Sequence, residues 1–545
     1  MEATSQPRSI KRSRKRMWRW VAVFVLSLCV AAGLAARYVI DHAAPIVRAR
    51  VIQSLSTRFD SKVELTGFQV SVLHGIEVSG TGLKIFGTSD PNPHQPGVQP
   101  LIEIGEFRFQ TALRSLFRSP MHVDTVYVKG IVLNIPPKQN RKEMTAMNSR
   151  AGRLTIFVDT FVCEDTRLVI NTINPDKAPL ELAISSLQMK EIGPGLPLRF
   201  QATLINPKPV GDIQSTGLFG PFQQESPRDT PVQGNYTFSH ADLGTIKGIG
   251  GMLSSTGAYS GTLSNIAVHG TTDTPDFKIA ISGHPVPLHT EFHAIVDGTS
   301  GDTHLKPVRA SFLHSSLIAN GSVIRVSKGK GHDIELDVTV EKGRIEDLLR
   351  LGVHTDPAVM SGVVQMKTHL SLPPGENSVI DRMKLAGDFD VEGGHFSNEK
   401  VQNKIDSLSL LTQGKPKQAR EAVVSEVPVE LQGNFQLSDG LLSFSLLHFL
   451  IPGTHVDMAG SYSLDGQVFD FHGTARLNAK VSQMTTGWKS ILLKPVDPFF
   501  SKNGAGTEVP IKVTGTQSEP HFGLDFGRKD EHENSGRASL GANGR

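Results

Sequence analysis

The sequence predicts a mainly β protein that begins with a single transmembrane helix. Three observations lead to this fold class. An uncharged apolar segment lies near the N-terminus, apolar and polar residues alternate with a period of two through much of the chain, and helical spacing is rare. The chain of 545 residues also contains 52 Gly and 32 Pro. That composition is typical of short strands joined by turns, and the length allows several domains or one long repetitive domain.

The segment 17–40 is the predicted transmembrane helix. Residues 20–36 within it carry no charge, which is close to the length that crosses a bilayer. The residues expected to anchor it are Trp18, Trp20, Phe24, Leu26 and Leu28. Positive residues crowd the first 20 positions, so the positive-inside rule predicts that the basic tail 1–16 is cytoplasmic and that the remainder lies outside the inner membrane. The alternative is a signal peptide cleaved near Ala36, and the long basic region and the two tryptophans favour the anchor.

Charge and cysteine content narrow the expected partners. The formal net charge is +3, but the basic tail supplies the excess, so the exported part is close to neutral. A nearly neutral chain argues against nucleic acid as a partner. Cys29 lies in the predicted membrane helix and Cys163 is the only other cysteine, so no disulfide is expected within the exported part.

Residues 41–60 have apolar positions at helical spacing with arginines between them. They predict an amphipathic helix, which either lies on the outer membrane surface or caps the next domain.

Strand-like alternation begins at residue 62 and changes phase at glycines. The apolar residues before Gly67, such as Val63 and Leu65, have odd numbers, and those after it have even numbers. The alternation changes phase in the same way at Gly105 and Gly130. A glycine at each phase change predicts a bulge or bend that keeps the apolar side chains on one face. A second theme is a glycine, one further residue and an aromatic residue at the start of a strand. It occurs at Gly234, Gly257, Gly387, Gly433 and Gly460 at irregular intervals, which indicates one strand–turn–strand unit used repeatedly.

Only short segments have helical spacing, and the end of the chain has little apolar content. The candidate helices are Asp242–Leu253, Arg344–Leu351, Val401–Leu411 and Met484–Leu493. Residues 527–545 are rich in Gly, Ser and charge and are predicted to be disordered.

No catalytic motif is found. The phosphate-binding glycine loop, the H-E-x-x-H zinc motif and the G-x-S-x-G nucleophile motif are all absent from the sequence. His289 and His293 flank Glu291 in a strand-like stretch, where alternate residues share a face. Surface histidines explain this better than a metal site. We therefore predict no catalytic residue, no metal, no cofactor and no enzyme activity.

Two stretches of the sequence resemble the AsmA family of bacterial envelope proteins, which includes TamB-related members. The first comprises RFDSKVELTGFQVSVLHGIEVSGTGLKIFG (58–87) and LIEIGEFRFQTALRSLFRSPMHVDTVYVKGIVLNI (101–135). The second includes RIEDLLRLGV (344–353), KLAGDFDVEGGHFSNEKVQNKIDSLSLLTQGKP (384–416) and the β-rich segment 431–477. The matching motifs are structural rather than catalytic. The resemblance implies an inner-membrane-anchored periplasmic protein with an elongated, twisted β-sheet trough, linked to phospholipid transport and outer-membrane assembly. It divides the exported part into an N-terminal and middle region, 61–340, and a C-terminal region, 341–526.

An apolar sheet face must be covered by a second sheet, by helices or by bound acyl chains. Helices are too few to cover the strands, which leaves a sandwich or a groove lined for lipid. The candidate groove residues are Val70, Val72, Phe107, Phe109, Ile334, Leu336, Phe435, Phe444 and Phe471, and ordinary core packing is the alternative for each. The favoured function is phospholipid handling in the envelope. The alternatives are an assembly scaffold for outer-membrane or periplasmic proteins, which would bind at strand edges, and an enzyme or polysaccharide-binding protein.

Overall fold

The structure is a computed structural model. It describes residues 23–31, 33, 48–49, 52–53, 55–56, 62–71, 76–86, 100–111, 121–135, 156–170, 180–193, 195–223, 226–326, 331–354, 356–420, 427–464, 468–478, 507–516 and 519–525. Strands dominate these residues, and the predicted mainly β class is confirmed. The chain divides into two compact units. The first comprises Met1–Ile173, Pro179–Thr203 and Gly220–Glu225, and the second comprises Asn174–Ala178, Leu204–Phe219 and Ser226–Arg545. The sequence-based boundary at residue 340 falls within a strand of the second unit.

Unit 1 contains a ladder of six strands. They are β1 (Val63–Ser71), β2 (Ile76–Ile85), β3 (Ile102–Thr111), β4 (Met121–Ile135), β5 (Ile156–Ile170) and β6 (Leu180–Ile192). Neighbours in the chain are neighbours in the ladder, and all pairs are antiparallel except β4 and β5, which are parallel. Strand β7 (Leu198–Pro207) spans the chain position at which the two units divide.

Unit 2 contains a longer antiparallel ladder. Its strands are β8 (Val210–Phe219), β9 (Pro231–Asp242), β10 (Ile249–Gly250), β11 (Met252–Thr262), β12 (Asn265–Ile279), β13 (Val286–Val296), β14 (Thr303–Phe312), β15 (Ser315–Arg325), β16 (His332–Arg344), β17 (Met360–Leu372), β18 (Lys384–Phe396), β19 (Val429–Ser438), β20 (Leu441–Ile451), β21 (Thr454–Ser463), β22 (Val468–Leu477), β23 (Thr507–Thr516) and β24 (Pro520–Leu524). Successive strands pair, except that β9 pairs with β11 and the two-residue β10 pairs with β12.

Helices are few in the described residues. The N-terminal helical residues 23–31 and 33 are called α1 here. Residues 48–49, 52–53 and 55–56 are also helical. The later helices are α2 (Ile345–Gly352), α3 (Val379–Arg382), α4 (Glu399–Thr412) and α5 (Pro416–Arg420), with 3-10 turns at Pro227–Asp229 and Leu243–Thr245. The predictions of helices at Arg344–Leu351 and Val401–Leu411 are confirmed to within two residues. Asn398 caps α4, because its side-chain oxygen accepts hydrogen bonds from the amides of Lys400 and Val401.

The predicted helix at Asp242–Leu253 is wrong. Asp242 ends β9, its side chain closes the 3-10 turn by accepting from the amide of Gly244 at 2.8 Å, and β11 begins at Met252. Gly248 and Gly251 have φ values of +97° and +127°, which an α-helix does not allow. The candidate helix Met484–Leu493 and the tail 527–545 lie outside the described residues.

A line of residues without cross-strand partners runs across unit 1 at the predicted phase changes. The pairing register passes over Gly82 of β2, Gly105 of β3 and Gly130 of β4, and it does the same at Thr66 of β1 and Asp165 of β5. Gly82, Gly130 and Asp165 have φ values of +64°, +69° and +54°. The backbone therefore turns over along this line. Apolar residues of both parities consequently pack in one cluster. The predicted role is confirmed for Gly105 and Gly130. It is wrong for Gly67, which pairs with Thr81 while the neighbouring Thr66 is left without a partner.

The glycine–x–aromatic theme also has a structural explanation. On β9 and β11, Gly234 pairs with Tyr259 while Gly257 pairs with Tyr236. The same reciprocal arrangement joins β18 and β19, where Gly387 pairs with Phe435 and Gly433 pairs with Phe389. In each strand the aromatic residue is two positions after the glycine, with one residue between them. Two antiparallel strands that carry the theme therefore place each ring opposite the glycine of the other strand. The theme thus fixes the register between strands.

The described residues 48–49, 52–53 and 55–56 support the capping alternative for the predicted amphipathic helix. Ile52 and Leu55 pack against the cluster of Val63, Leu65, Leu83 and Ile85. The Arg48 guanidinium also donates a hydrogen bond to the carbonyl of Leu65 at 2.6 Å. These helical residues therefore cover part of the apolar face of unit 1.

Candidate functional site

The candidate site is the apolar face of β17–β23 in unit 2. The strand registers place its residues in rows that cross the ladder. One row, at the strand ends covered by helices, contains Val364, Val391, Leu431, Phe449, Val456, Ala475 and Val509. A second row lies next to it and contains Met366, Phe389, Gly433, Leu447, Met458, Gly473 and Ile511. The third, the central row, contains Thr368, Gly387, Phe435, Phe444, Gly460, Phe471 and Val513. The last, the open row, contains Leu370, Leu385, Leu437, Leu442, Tyr462 and Phe469.

The rows differ in burial because helices cover only one end of the face. Five residues of the helix-covered row are buried, with Val364 and Val391 fully inaccessible. Ile345, Leu348 and Leu349 of α2 and Leu408 of α4 pack against that cluster. Most side chains of the central and open rows are only half-buried. The apolar face is therefore sealed at one end of its strands and incompletely covered towards the other.

Five phenylalanines form a continuous aromatic line on this face. Ring centroids are 6.1 Å apart between Phe435 and Phe389, 6.2 Å between Phe389 and Phe444, and 5.7 Å between Phe444 and Phe471. Phe469 extends the line at 6.4 Å from Phe471. Aromatic pairs at these distances attract one another. The structure thus brings together the predicted residues Phe435, Phe444 and Phe471, and it adds two that the prediction missed.

The other predicted groove residues lie on apolar faces elsewhere. Ile334 and Leu336 are half-buried on β16 and share a face with the buried Val340. In unit 1, Phe107 and Phe109 of β3 are half-buried, and their rings are stacked 6.3 Å apart. Val70 is half-buried on β1, and Val72 lies outside the described residues. Phe107 packs against the core cluster of unit 1, which is the packing alternative considered for it.

Polar pairs occupy the opposite face of the same strands. His369 of β17 lies between Asp337 and Glu335 of β16, with its Nδ1 and Nε2 atoms each 2.8 Å from a carboxylate oxygen. Hydrogen bonds to Asp337 and to Glu335 raise the pKa of His369 above the usual value. On β18 and β19, Gln432 donates to Asp390 at 2.9 Å. The ladder thus has one apolar and one polar face.

Two buried carboxylates hold the covering helices in place. Asp347 of α2 accepts hydrogen bonds from the amide of His314 at 2.9 Å and from the hydroxyl of Ser315 at 2.7 Å. Asp406 of α4 accepts from the amide of Val427 and from Gln402, both at 2.9 Å. Because each carboxylate receives two donors, its burial is compensated. The helices are therefore fixed covers of one end of the face.

The ladder curves around α4. Gln402 in the first turn of this helix accepts a hydrogen bond from the amide of Phe396 at the end of β18. Lys404, two residues further on, places its ammonium 4.4 Å from the ring centroid of Phe522 on β24. Six strand spacings separate β18 from β24, about 29 Å along a flat sheet. A lysine side chain is far shorter, so the apolar face of this segment is concave.

No metal centre accompanies the face. Within the described part of the chain, no group of three or more His, Cys, Asp and Glu residues is placed to hold a metal ion. His289 instead contacts Asp273 at 2.7 Å, and the rings of His293 and His269 are stacked 6.3 Å apart. Cys163 is buried and hydrogen-bonded to Thr166 at 2.7 Å. Burial raises the pKa of its thiol, which disfavours the reactive thiolate.

The described residues of α1 are apolar and exposed. Large apolar side chains in this segment are more than half exposed, including Phe24 at 65%, Leu26 at 66% and Leu28 at 60%. Phe24 and Leu28 are four residues apart and share one side of the helix, whereas Leu26 lies near the opposite side. Val23 and Val25, at 57% and 51% exposed, lie between these two directions. Among the described residues, no helix is both long and apolar enough to span a membrane, and most of the predicted span 17–40, including Trp18 and Trp20, lies outside them.

No protein-family model matches the chain, and comparison with curated proteins finds no significantly similar sequence.

Proposed function

We propose that this chain is a membrane-anchored, non-enzymatic protein that binds the acyl chains of phospholipid on the apolar face of unit 2. The anchor is the predicted helix 17–40, which places the bulk of the chain in the periplasm. The function is the handling or transfer of phospholipid for outer-membrane biogenesis. The lipid-lined trough that the family resemblance implies is part of this proposal.

The half-buried central row is the observation that carries the proposal. Side chains such as Phe435, Phe444 and Phe471 retain solvent contact, although burial of an aromatic ring is strongly favourable. Each buried methylene of a lipid is worth about 0.8 kcal/mol, and covering these rings adds to that gain. A concave apolar surface of this kind takes up acyl chains without a catalytic group.

The exposed apolar residues of α1 support the anchor. A helix segment that is apolar on all sides is stable where lipid surrounds it. A reporter enzyme that works only in the periplasm is expected to be active when it is fused after residue 60. Deletion of 17–40 is expected to release the chain from the membrane fraction. If the reporter is active but the protein is cleaved near Ala36 and is found in the soluble fraction, the signal-peptide alternative would be established instead.

Site-specific photocrosslinking in the full-length chain tests the lipid site. Benzoylphenylalanine replaces Phe444 of β20 or Phe471 of β22 on the apolar face. Matched controls carry it on the polar face, at Ser443, which precedes Phe444, or at Ser461 of β21, which follows the cross-strand partner of Phe471. We expect radiolabelled phospholipid to be captured at the two phenylalanine positions only. Equal capture on both faces, or no capture at either phenylalanine, would refute acyl-chain binding on this face.

The edge of the ladder favours a second candidate function, an assembly scaffold. Among the described strands β24 pairs only with β23, and its apolar side chains Phe522 and Leu524 are 46% and 51% exposed. Unpaired strand edges bind extended peptides by β-augmentation. Crosslinkers on β24 that capture an outer-membrane protein, together with a lipid-free apolar face, would establish this function in place of lipid handling.

A further inference from the structure

We propose that His448 and His455 form a binding site for a divalent transition-metal ion on the polar face of unit 2. The two histidines belong to the β20–β21 hairpin. His448 is paired with Asp457, and the neighbouring pair joins Leu450 to His455. Both imidazoles lie on the face opposite the phenylalanine line, because they occupy positions that alternate with Leu447, Phe449 and Val456. The site is therefore separate from the proposed lipid surface.

The spacing of the two rings suits a shared ion. Their centroids are 6.1 Å apart with an interplanar angle of 38°. Two imidazoles bound tetrahedrally through metal–nitrogen bonds of about 2.0–2.1 Å place their centroids about 5 Å apart. The difference is about 1 Å, which rotation of the exposed His455 side chain supplies without a change in the backbone. Two imidazole ligands leave the remaining coordination positions to water or to an external donor.

A carboxylate already orients one of the two ligands. Asp457 Oδ1 lies 2.5 Å from Nδ1 of His448, so the proton of the neutral ring is held on Nδ1 and the lone pair is left on Nε2. This is the arrangement that fixes the ring orientation of metal-ligating histidines in proteins. His448 and Asp457 are also partly shielded, with side-chain exposures of 34% and 32%, which limits competition from solvent.

The charges around the pair are mixed. Arg476 of β22 is the cross-strand neighbour of His455, and its guanidinium lies 3.6 Å from Asp457 and 3.8 Å from Glu508. Its positive charge is thus offset by two carboxylates, and the group has one net negative charge while the imidazoles are neutral. Imidazole ligands suit Zn²⁺ and Cu²⁺ rather than Mg²⁺ or Ca²⁺. The inferred ligand class is therefore an ion of the Zn²⁺ and Cu²⁺ type.

The chain provides a matched control pair. His269 and His293 are also cross-strand neighbours with ring centroids 6.3 Å apart. In the described part of the chain, neither of these rings has a carboxylate partner. If ring spacing alone created a site, the two pairs would bind metal alike. The orienting role of Asp457 predicts that the His448–His455 pair binds more tightly.

Titration calorimetry of the full-length protein with ZnCl₂ tests the site. We expect His455→Ala to weaken the tightest binding by at least about 10-fold and Asp457→Asn to weaken it by about 10–100-fold, while His293→Ala leaves it unchanged. The EPR spectrum of the Cu²⁺ complex is expected to show splitting from two imidazole nitrogens. His455 makes no side-chain hydrogen bond within the described residues, so its replacement preserves the fold, and circular dichroism checks this. Unchanged binding in the folded His455→Ala variant, or loss of the tightest binding in His293→Ala, would overturn the assignment.

Discussion

Replacement of Gly257 by alanine tests whether the glycine–x–aromatic theme fixes the strand register. A Cβ atom at this position would lie 2.4 Å from the carbonyl oxygen of His269 and 2.8 Å from Cε1 of Tyr236. Both distances are well inside van der Waals contact. The carbonyl belongs to a paired strand and the Tyr236 hydroxyl is 3.1 Å from the hydroxyl of Ser255, so neither neighbour moves freely.

The expected loss of stability follows from two opposing effects. Overpacking of this kind costs about 1–3 kcal/mol. Alanine also restricts the unfolded chain relative to glycine, which offsets about 0.4–1 kcal/mol. We therefore expect Gly257→Ala to lower the free energy of unfolding of the β9–β11 region by about 1–2 kcal/mol.

Hydrogen exchange measured by mass spectrometry on peptides from β9 and β11 provides the assay, with urea unfolding followed by circular dichroism as a second measurement. Gly352→Ala is the matched control, because a Cβ atom there has no atom within 4 Å. We expect that control to be at least as stable as the parent protein. If Gly257→Ala protects β9 and β11 as well as the control does, the packing explanation of the theme is wrong.

Three further predictions concern single side chains. Replacement of Asp347 by alanine leaves the His314 amide and the Ser315 hydroxyl without their buried acceptor. We expect the free energy of unfolding, measured in urea, to fall by about 2–4 kcal/mol. A fall below about 0.5 kcal/mol would contradict the anchoring role of Asp347. NMR titration is expected to give His369 a pKa above 6.5 that falls in an Asp337→Asn variant. Since the pKa of His369 is raised in the folded state, the stability contributed by the His369–Asp337 pair is complete below pH 6.5 and is lost as the pH rises through the folded-state pKa. An unshifted pKa would contradict this contribution. Buried Cys163, with its raised pKa, is expected to react with a thiol reagent only after denaturant unfolds unit 1, and rapid labelling of the native protein would contradict its burial.

The sequence predicted the class of fold because alternation with a period of two is a local signal. The phase changes at Gly105 and Gly130 are predictable for the same reason, since a strand whose apolar residues change phase needs a residue without a side chain at that point. The wrongly predicted helix at 242–253 shows that apolar spacing alone does not determine a helix. Its apolar spacing resembles a helix, but the left-handed conformations at Gly248 and Gly251 decide the structure.

The sequence alone does not determine which strands pair with one another. The parallel arrangement of β4 and β5 depends on how a long connection returns, which residue patterns do not encode. The predicted groove residues include three of the five phenylalanines of the aromatic line. Phe389 follows Gly387 in the glycine–x–aromatic theme, but its place beside Phe435 depends on the register between β18 and β19, which the sequence does not determine. Ile334 and Leu336 were found through the alternation of β16. The His448–His455 pair carries no sequence signal, since a cross-strand diagonal exists only once the hairpin has formed.

The line of unpaired residues through Gly82, Gly105 and Gly130 has a mechanical consequence. Cross-strand hydrogen bonds stiffen a sheet, and this line interrupts them at one level of five successive strands. We therefore expect unit 1 to bend most easily along this line, where the three glycines carry no side chains and Thr66 and Asp165 carry the side chains. A load that bends the sheet is then expected to change its angle there before the hydrogen bonds on either side break.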